Sequence, residues 1–194
     1  LREVPFGNDG DFSHQAMINR MNGELANDFG NLAQRVLSMI NKNCDGQMPE
    51  PGPLTGDDDD LLKPANDLYE KVSECLGRQA FHEALESIWV VIRAANGYVD
   101  AQAPWALRKE DQDRMKTVLY VLAETIRHLA LMAQPFMPET TARMLDQLDI
   151  DDSERSFSFL GLDHALKPGT ALPKPEGVFP RFVEDKEEGL NDVG

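Results

Sequence analysis

Apolar residues recur at intervals of three and four positions along most of this chain, and that spacing places them on one face of an α-helix. The first run starts after Ser13, whose side chain can cap the backbone N–H groups of a first helical turn. The run continues for roughly eight turns and stops among turn-forming residues between Asn41 and Gly46. Its apolar members are Met17, Met21, Leu25, Phe29, Leu32, Val36 and Ile40. The pattern predicts one long amphipathic helix.

The same periodicity predicts four more helices, over residues 61–77, 81–101, 111–133 and 139–148. Residues 47–56 carry three prolines and two glycines and are predicted to form a loop. Pro104 is predicted to end the helix that begins at Phe81. The periodicity fades beyond residue 150, which indicates an extended tail with a strand-like piece at Ser156–Leu160. The predicted fold is all-α, a helical bundle of about five helices with an extended C-terminal tail.

Composition narrows the classes of function. No apolar run approaches the roughly 18 residues of a membrane span. Two cysteines, Cys44 and Cys75, cannot build a disulfide scaffold or a four-ligand zinc site, so a cytoplasmic protein is expected. The net charge of −15 argues against non-specific nucleic-acid binding, which depends on neutralising phosphates with lysine and arginine. Residues 77–110 differ from the rest, because their four basic and four acidic side chains balance.

Signals for catalysis are scarce. The four histidines lie far apart without an HExxH motif, and the chain has no glycine-rich phosphate-binding loop. The run Asp57–Asp60 is explained as a solvated helix start, where carboxylates meet the positive end of the helix dipole. A metal site is the alternative, but consecutive helical positions point about 100° apart and cannot all face one ion. The sequence therefore predicts neither a metal site nor catalysis by these residues alone.

Two local features point to binding instead. Asn31 and Arg35 are four positions apart in the long helix, so they project side by side as a recognition pair or as an ordinary surface pair. Trp105 follows Pro104 on a predicted loop, where an indole can stack on a nucleobase or plug a helix junction. Trp89, on the apolar face of its helix, is assigned to the core. Spacing alone leaves both alternatives open for each feature.

Five short motifs, in order along the chain, carry a resemblance to a known family. They are LREVPFG with DGDFS at the start, NGELANDFGNLAQR at 22–35, YVDAQAPW at 98–105, QPFMP at 134–138 and FPR at 179–181. Together they resemble the C-terminal part of methionyl-tRNA synthetases, a family of class I aminoacyl-tRNA synthetases. The resemblance covers essentially the whole chain. One departure is Gly97, where the family often has a larger residue.

The resemblance implies a division of the chain and a set of partners. Residues 1–10 would end the connection from a catalytic domain that precedes Leu1, residues 11–150 would form a helical anticodon-binding domain, and residues 151–194 an extended C-terminal segment. The parent would be an ATP-dependent methionine–tRNA ligase, with ATP and Mg²⁺ on that catalytic domain and no cofactor here. The partners would be methionine tRNA, through its CAU anticodon, and the catalytic domain in cis. A monomer is expected, because this sequence does not resemble the dimerisation module of some members.

The resemblance also places anticodon-reading residues. By position they fall on Asn31, Arg35 and Trp105, with Pro104 beside Trp105 and Asp100 as a supporting candidate. Trp105 would stack under the first anticodon base. Arg35 only donates hydrogen bonds, so it suits the N3 acceptor of cytosine and not the N3–H of uracil, whereas the amide of Asn31 can reorient. Arg35 is therefore expected to discriminate and Asn31 to position the base.

Two other interpretations remain. One is the anticodon-binding domain of another class I synthetase, for leucine, isoleucine, valine or cysteine, because the motif at 135–138 occurs widely in that group. The other is an acidic helical protein-interaction module in which Trp105 anchors a protein contact. The combination of Asn31 and Arg35 with Pro104 and Trp105 favours the methionine family.

Overall fold

The computed structural model describes Gly7 and residues 13–182, so the expectations for the rest of the first ten residues and for 183–194 lie outside the described residues. The elements are α1 (His14–Arg20), a π-helical segment (Met21–Gly30), α2 (Asn31–Asn43), α3 (Gly56–Gly77), α4 (Phe81–Gln102), α5 (Pro104–Glu110), α6 (Gln112–Ala133) and α7 (Pro138–Gln147). The predicted all-α bundle of about five helices is confirmed, with α1, the π-helical segment and α2 running on as one helix and with α5 as an additional short helix. The described part has no strand, and none of its helices combines the length and apolar character that a membrane span needs.

α6 is the central helix of the bundle. Every residue from 121 to 133 is buried, and α2, α3, α4, α5 and α7 all contact this helix. α4 contributes Ile88 and Ile92, which are fully buried, and Trp89, which is only 2% exposed and is a core residue as predicted. Burial of each such large apolar side chain stabilises the fold by about 1.5–3 kcal/mol.

The long first helix changes its repeat in the middle. Over Met21–Gly30 the backbone is π-helical, with hydrogen bonds that span five residues rather than four. At Gly30 an added Cβ would lie 3.1 Å from the Leu25 carbonyl oxygen and 3.1 Å from the Phe179 ring, so a larger residue would force these neighbours to shift by a few tenths of an ångström. The segment ends there, and α2 begins at Asn31.

The chain beyond α7 is held by α6. It forms three short 3₁₀ turns, and the strand-like piece predicted at Ser156–Leu160 is wrong, because Phe157–Phe159 is one of these turns. The buried Arg127 donates to the Phe159 carbonyl at 2.6 Å, and its partner Glu124 accepts from the Leu166 backbone N–H at 3.0 Å. These bonds satisfy backbone groups of the described part of the C-terminal segment, which forms no β-sheet that would pair them.

The last described residues cross back to the first helix. Arg143 of α7 donates to the Val178 carbonyl at 2.7 Å, and the Phe179 ring packs 6.0 Å from that of Phe29. Asn22 exchanges two hydrogen bonds with the backbone of Phe182, at 2.8 and 2.9 Å. The extended tail therefore packs on the π-helical segment that precedes Asn31.

The run of four aspartates is only partly as predicted. Asp57, Asp59 and Asp60 are exposed at the start of α3, but Asp58 has no exposed surface. Asp58 accepts from the Thr55 backbone N–H as part of a capping box and forms an ion pair of 2.6 Å with Arg114. The prediction of a solvated residue is wrong for Asp58, because a buried carboxylate is tolerated where charged and polar donors surround it.

Asp58 makes stability depend on acid pH. Burial by itself raises the pKa of Asp58, but hydrogen bonds from Arg114, Tyr98 and Thr55 outweigh it and lower the pKa from 3.8 to about 2. A lowered folded-state pKa means that the stabilisation is present above about pH 4 and is lost as the pH falls through 2. We expect the difference in unfolding free energy between the wild type and Asp58→Asn to shrink by about 2 kcal/mol between about pH 5 and 2. Urea titrations across that range test this, and a constant difference contradicts it.

Candidate nucleic-acid interface

α2 exposes the first pair of candidate residues. Leu32 and Val36 are at most 1% exposed, so the opposite face of the helix is turned to solvent. Asn31 and Arg35 both lie exposed on it, one helical turn apart. The structure therefore places this pair on the surface, as the four-residue spacing predicts.

The junction of α4 and α5 supplies the other candidates. Ala103 ends α4 with a left-handed backbone, at φ 43°, and Pro104 is the first residue of α5. The predicted loop is wrong at this point, because proline has no N–H to lose at a first helical position and therefore starts the short helix. Pro104 is buried, whereas Trp105 is 46% exposed.

Arg35, Asp100 and Trp105 meet at one place on the surface. Arg35 donates from Nη2 to Asp100 Oδ1 at 2.9 Å, across 65 positions of sequence. Its guanidinium carbon lies 5.5 Å from the centre of the Trp105 ring, within the range of a cation–π contact. We call these three residues, with Asn31 one turn away, the α2–α5 surface.

Two further cations lie on the same helix as the indole. Arg108 and Lys109 are three and four positions after Trp105, so all three side chains share one side of α5, and both cations are exposed. Sequence interpretation missed them, because a loop has no such periodicity. They bring local positive charge to an acidic chain.

A partly open cavity of about 230 Å³ lies away from these residues and is lined by Arg127 of α6, by Leu148 and by the C-terminal segment around Leu166. Within the described residues no three histidine, cysteine, aspartate or glutamate side chains form a group able to hold a metal ion. The α2–α5 surface is open, which suits a flexible single strand better than a small enclosed ligand.

Family comparisons match nearly the whole chain. Residues 48–192 match the family described as the anticodon binding domain of methionyl tRNA ligase, and residues 1–37 match class I tRNA synthetases (M). Asn31 and Arg35 fall in the second match, and Asp100 and Trp105 in the first. The α2–α5 surface thus draws its residues from both.

Individual proteins give the same result. A methionine–tRNA ligase of Mesorhizobium japonicum is 50% identical over 184 residues, which is 95% of this chain and 36% of that protein. The crystal structure of free Mycobacterium tuberculosis methionyl-tRNA synthetase has a TM-score of 0.92 and 48% identity, covering 95% of this chain and 38% of that one. The same organism's enzyme with bound methionyl-adenylate has a TM-score of 0.89 and 49% identity, covering 92% and 36%. The chain spans little more than a third of the length of these relatives.

Proposed function

The chain belongs to the methionyl-tRNA ligase family, and we propose that it reads the CAU anticodon of methionine tRNA on the α2–α5 surface. One observation carries this proposal: the half-exposed indole of Trp105 lies against the exposed guanidinium of Arg35. Recognition of a single-stranded loop needs a flat surface on which a splayed base stacks and donors that bind the edge of that base. The two side chains supply one of each.

Trp105 is the stacking surface. The guanidinium of Arg35 lies over the ring, 5.5 Å from its centre, so we propose that it turns aside to the edge of a base that stacks on the indole. Stacking of one base on an aromatic side chain contributes about 1–3 kcal/mol. That contribution is independent of sequence, so discrimination has to come from the neighbouring polar groups.

Arg35 is the discriminating residue and Asn31 the positioning residue. The hydrogen bond to Asp100 uses Nη2 and restricts the orientation of the guanidinium. The other N–H groups can then donate to O2 and N3 of cytosine, whereas uracil presents an N–H at N3 that meets a second donor. Asn31 can turn its amide to suit either base. A good two-point contact of this kind discriminates by about 1–3 kcal/mol.

The charge of the chain is compatible with this role. Arg108 and Lys109 follow Trp105 on the same side of α5, and we assign them to phosphates next to the stacked base. With few such contacts, affinity depends mainly on stacking and edge contacts. We therefore expect the isolated chain to bind an anticodon loop weakly.

We also propose that the whole protein is an ATP-dependent methionine–tRNA ligase. The solved relative that carries methionyl-adenylate supports this, and it is almost three times as long as the matched part. ATP and Mg²⁺ are assigned to residues outside this chain, and these residues to tRNA recognition without catalysis. We propose a monomer in which the catalytic domain is the partner in cis.

Titration with RNA stem–loops tests the proposal. We expect the 194-residue chain to bind a stem–loop that carries CAU about tenfold more tightly than the same stem–loop with an anticodon for another amino acid. Trp105→Ala should lose this preference, while Tyr69→Ala, which changes a similarly exposed aromatic residue on α3, should keep it. Binding that ignores the anticodon would contradict the proposal, and a protein-interaction module predicts that result.

A further inference from the structure

Asp58 joins three helices through one buried carboxylate. Arg114 of α6 donates from Nη1 to Oδ2 at 2.6 Å and from Nη2 to Oδ1 at 2.8 Å, and Tyr98 of α4 donates its hydroxyl to Oδ1. Asp58 itself lies in the first turn of α3, and the side chain of Arg114 is only 17% exposed. Two-point arginine–carboxylate pairs fix orientation as well as distance.

The network reaches the last residue of α4. Arg114 also donates to Gln102 Oε1 at 2.7 Å, and Gln102 donates to Asp57 Oδ2 at 2.9 Å. Ala103 comes next, in a left-handed conformation that non-glycine residues keep only where the surroundings hold them. Gln102 and Arg114 lie on either side of the segment that contains α5 and Trp105, so the hydrogen bond between them holds the two ends of this segment together.

Tyr98 also relates this network to the outer face of α4. Tyr98 and Asp100 are two positions apart in a helix, so their side chains point to nearly opposite sides. Tyr98 points inward to Asp58, and Asp100 points outward to Arg35. A rotation of the end of α4 that breaks the inner bond also moves the outer carboxylate.

We propose that Asp58, Arg114 and Tyr98 are positioning residues for anticodon recognition, because they hold the end of α4 so that Asp100 and Trp105 meet Arg35. This inference rests on the proposed function, since it concerns the same α2–α5 surface. None of the three side chains touches the RNA. Each acts through the placement of Trp105 and Asp100.

The chain contains a matched control. Glu124 and Arg127 form a second buried carboxylate–arginine pair, with side chains 3% and 2% exposed. They bind the C-terminal segment, and Glu124 lies ten positions beyond Arg114, about 15 Å along α6. Glu124→Gln therefore removes a buried charge of the same kind without touching the end of α4.

A double-mutant cycle in the full-length ligase tests the proposal. Asp58→Asn is expected to raise KM for methionine tRNA about tenfold with ATP–pyrophosphate exchange unchanged. In a Trp105→Ala background the same substitution should raise KM by a clearly smaller factor, because the part of its effect that acts through the indole is already lost and only the part that acts through Asp100 and Arg35 remains. Glu124→Gln should leave KM unchanged in both backgrounds, although it destabilises the fold as Asp58→Asn does.

The outcomes separate the two proposals. An equal factor for Asp58→Asn in both backgrounds, or an equal rise in KM with Glu124→Gln, overturns the positioning role alone. A Trp105→Ala enzyme with normal KM overturns the proposed function and this inference together. If Asp58→Asn does not fold, Tyr98→Phe, which removes only a hydroxyl, enters the same cycle with an expected rise of about threefold. An unchanged KM in Tyr98→Phe overturns the role.

Discussion

Replacing Trp105 with alanine is expected to lower kcat/KM for charging methionine tRNA by about tenfold to a hundredfold in the full-length ligase. The expected cause is the loss of the proposed stacking surface for the first anticodon base, while the fold loses little because the indole is 46% exposed. Formation of methionyl-adenylate does not involve the anticodon, so ATP–pyrophosphate exchange should stay near normal. Steady-state charging and exchange assays on the same preparation measure both.

Two substitutions serve as controls for this result. Trp105→Phe keeps an aromatic face and should retain most of the charging activity. Tyr69→Ala removes an aromatic residue of similar exposure, 42%, which packs on Phe157, and should leave charging unchanged. Loss of exchange together with charging in Trp105→Ala would mean that Trp105 has a structural role instead.

Replacing Arg35 with glutamine is expected to reduce the preference for cytosine over uracil at the first anticodon position by about tenfold. Glutamine has both a donor and an acceptor, so it can pair with either base, whereas arginine only donates. Asp100 loses its partner but is 64% exposed, so little stability is lost. Charging of tRNA transcripts with CAU and UAU anticodons gives the ratio of kcat/KM directly.

Arg35→Lys distinguishes the contribution of the charge at this position from that of the planar guanidinium group. Lysine keeps the charge but not the planar group with its parallel donors, so the preference should fall with Arg35→Lys as well. Arg78→Gln breaks a similar surface ion pair, between Arg78 and Glu83. This pair lies at the start of α4, at the opposite end from Asp100, so the preference should stay unchanged. A full preference for cytosine in Arg35→Gln would contradict the assignment of Arg35 as the discriminating residue.

The helices could be predicted from the sequence because the apolar residues that become buried recur with the period of the α-helix. The exposure of Asn31 and Arg35 follows from the same rule, since Leu32 and Val36 occupy the buried face. The π-helical segment could not be predicted from the pattern. Met17, which the four-residue steps place on the apolar face, is 42% exposed, whereas the buried residues here are Ile18, Ala26 and Phe29.

The local sequence contains a signal for the burial of Asp58 but not the partner that makes this burial possible. It precedes Leu61, Leu62 and Ala65 at helical spacing, so it occupies the buried stripe of α3, and it lies three residues after Thr55 as a capping box requires. What makes the position tolerable is Arg114, 56 positions away. A pattern within one helix does not contain its partner in another.

The start of α5 had a local signal, whereas the meeting of its indole with α2 had none. Proline is favoured at a first helical position as well as after a helix, so Pro104 is compatible with both a loop and a helix start. The contact between Arg35 and Trp105 depends on the packing of helices distant in sequence. Without a family resemblance, nothing in either segment selects the other as its neighbour.

The fluorescence of Trp105 reports directly whether an anticodon base stacks on its indole. The chain has two tryptophans, so Trp89→Phe leaves Trp105 as its one reporter. A base that stacks on the indole should quench it, so we expect saturable quenching by a CAU stem–loop but little by the same stem–loop without its first anticodon base. If a stem–loop binds by an independent measurement and the Trp105 fluorescence stays unchanged, no base stacks on this indole and the proposed recognition is wrong.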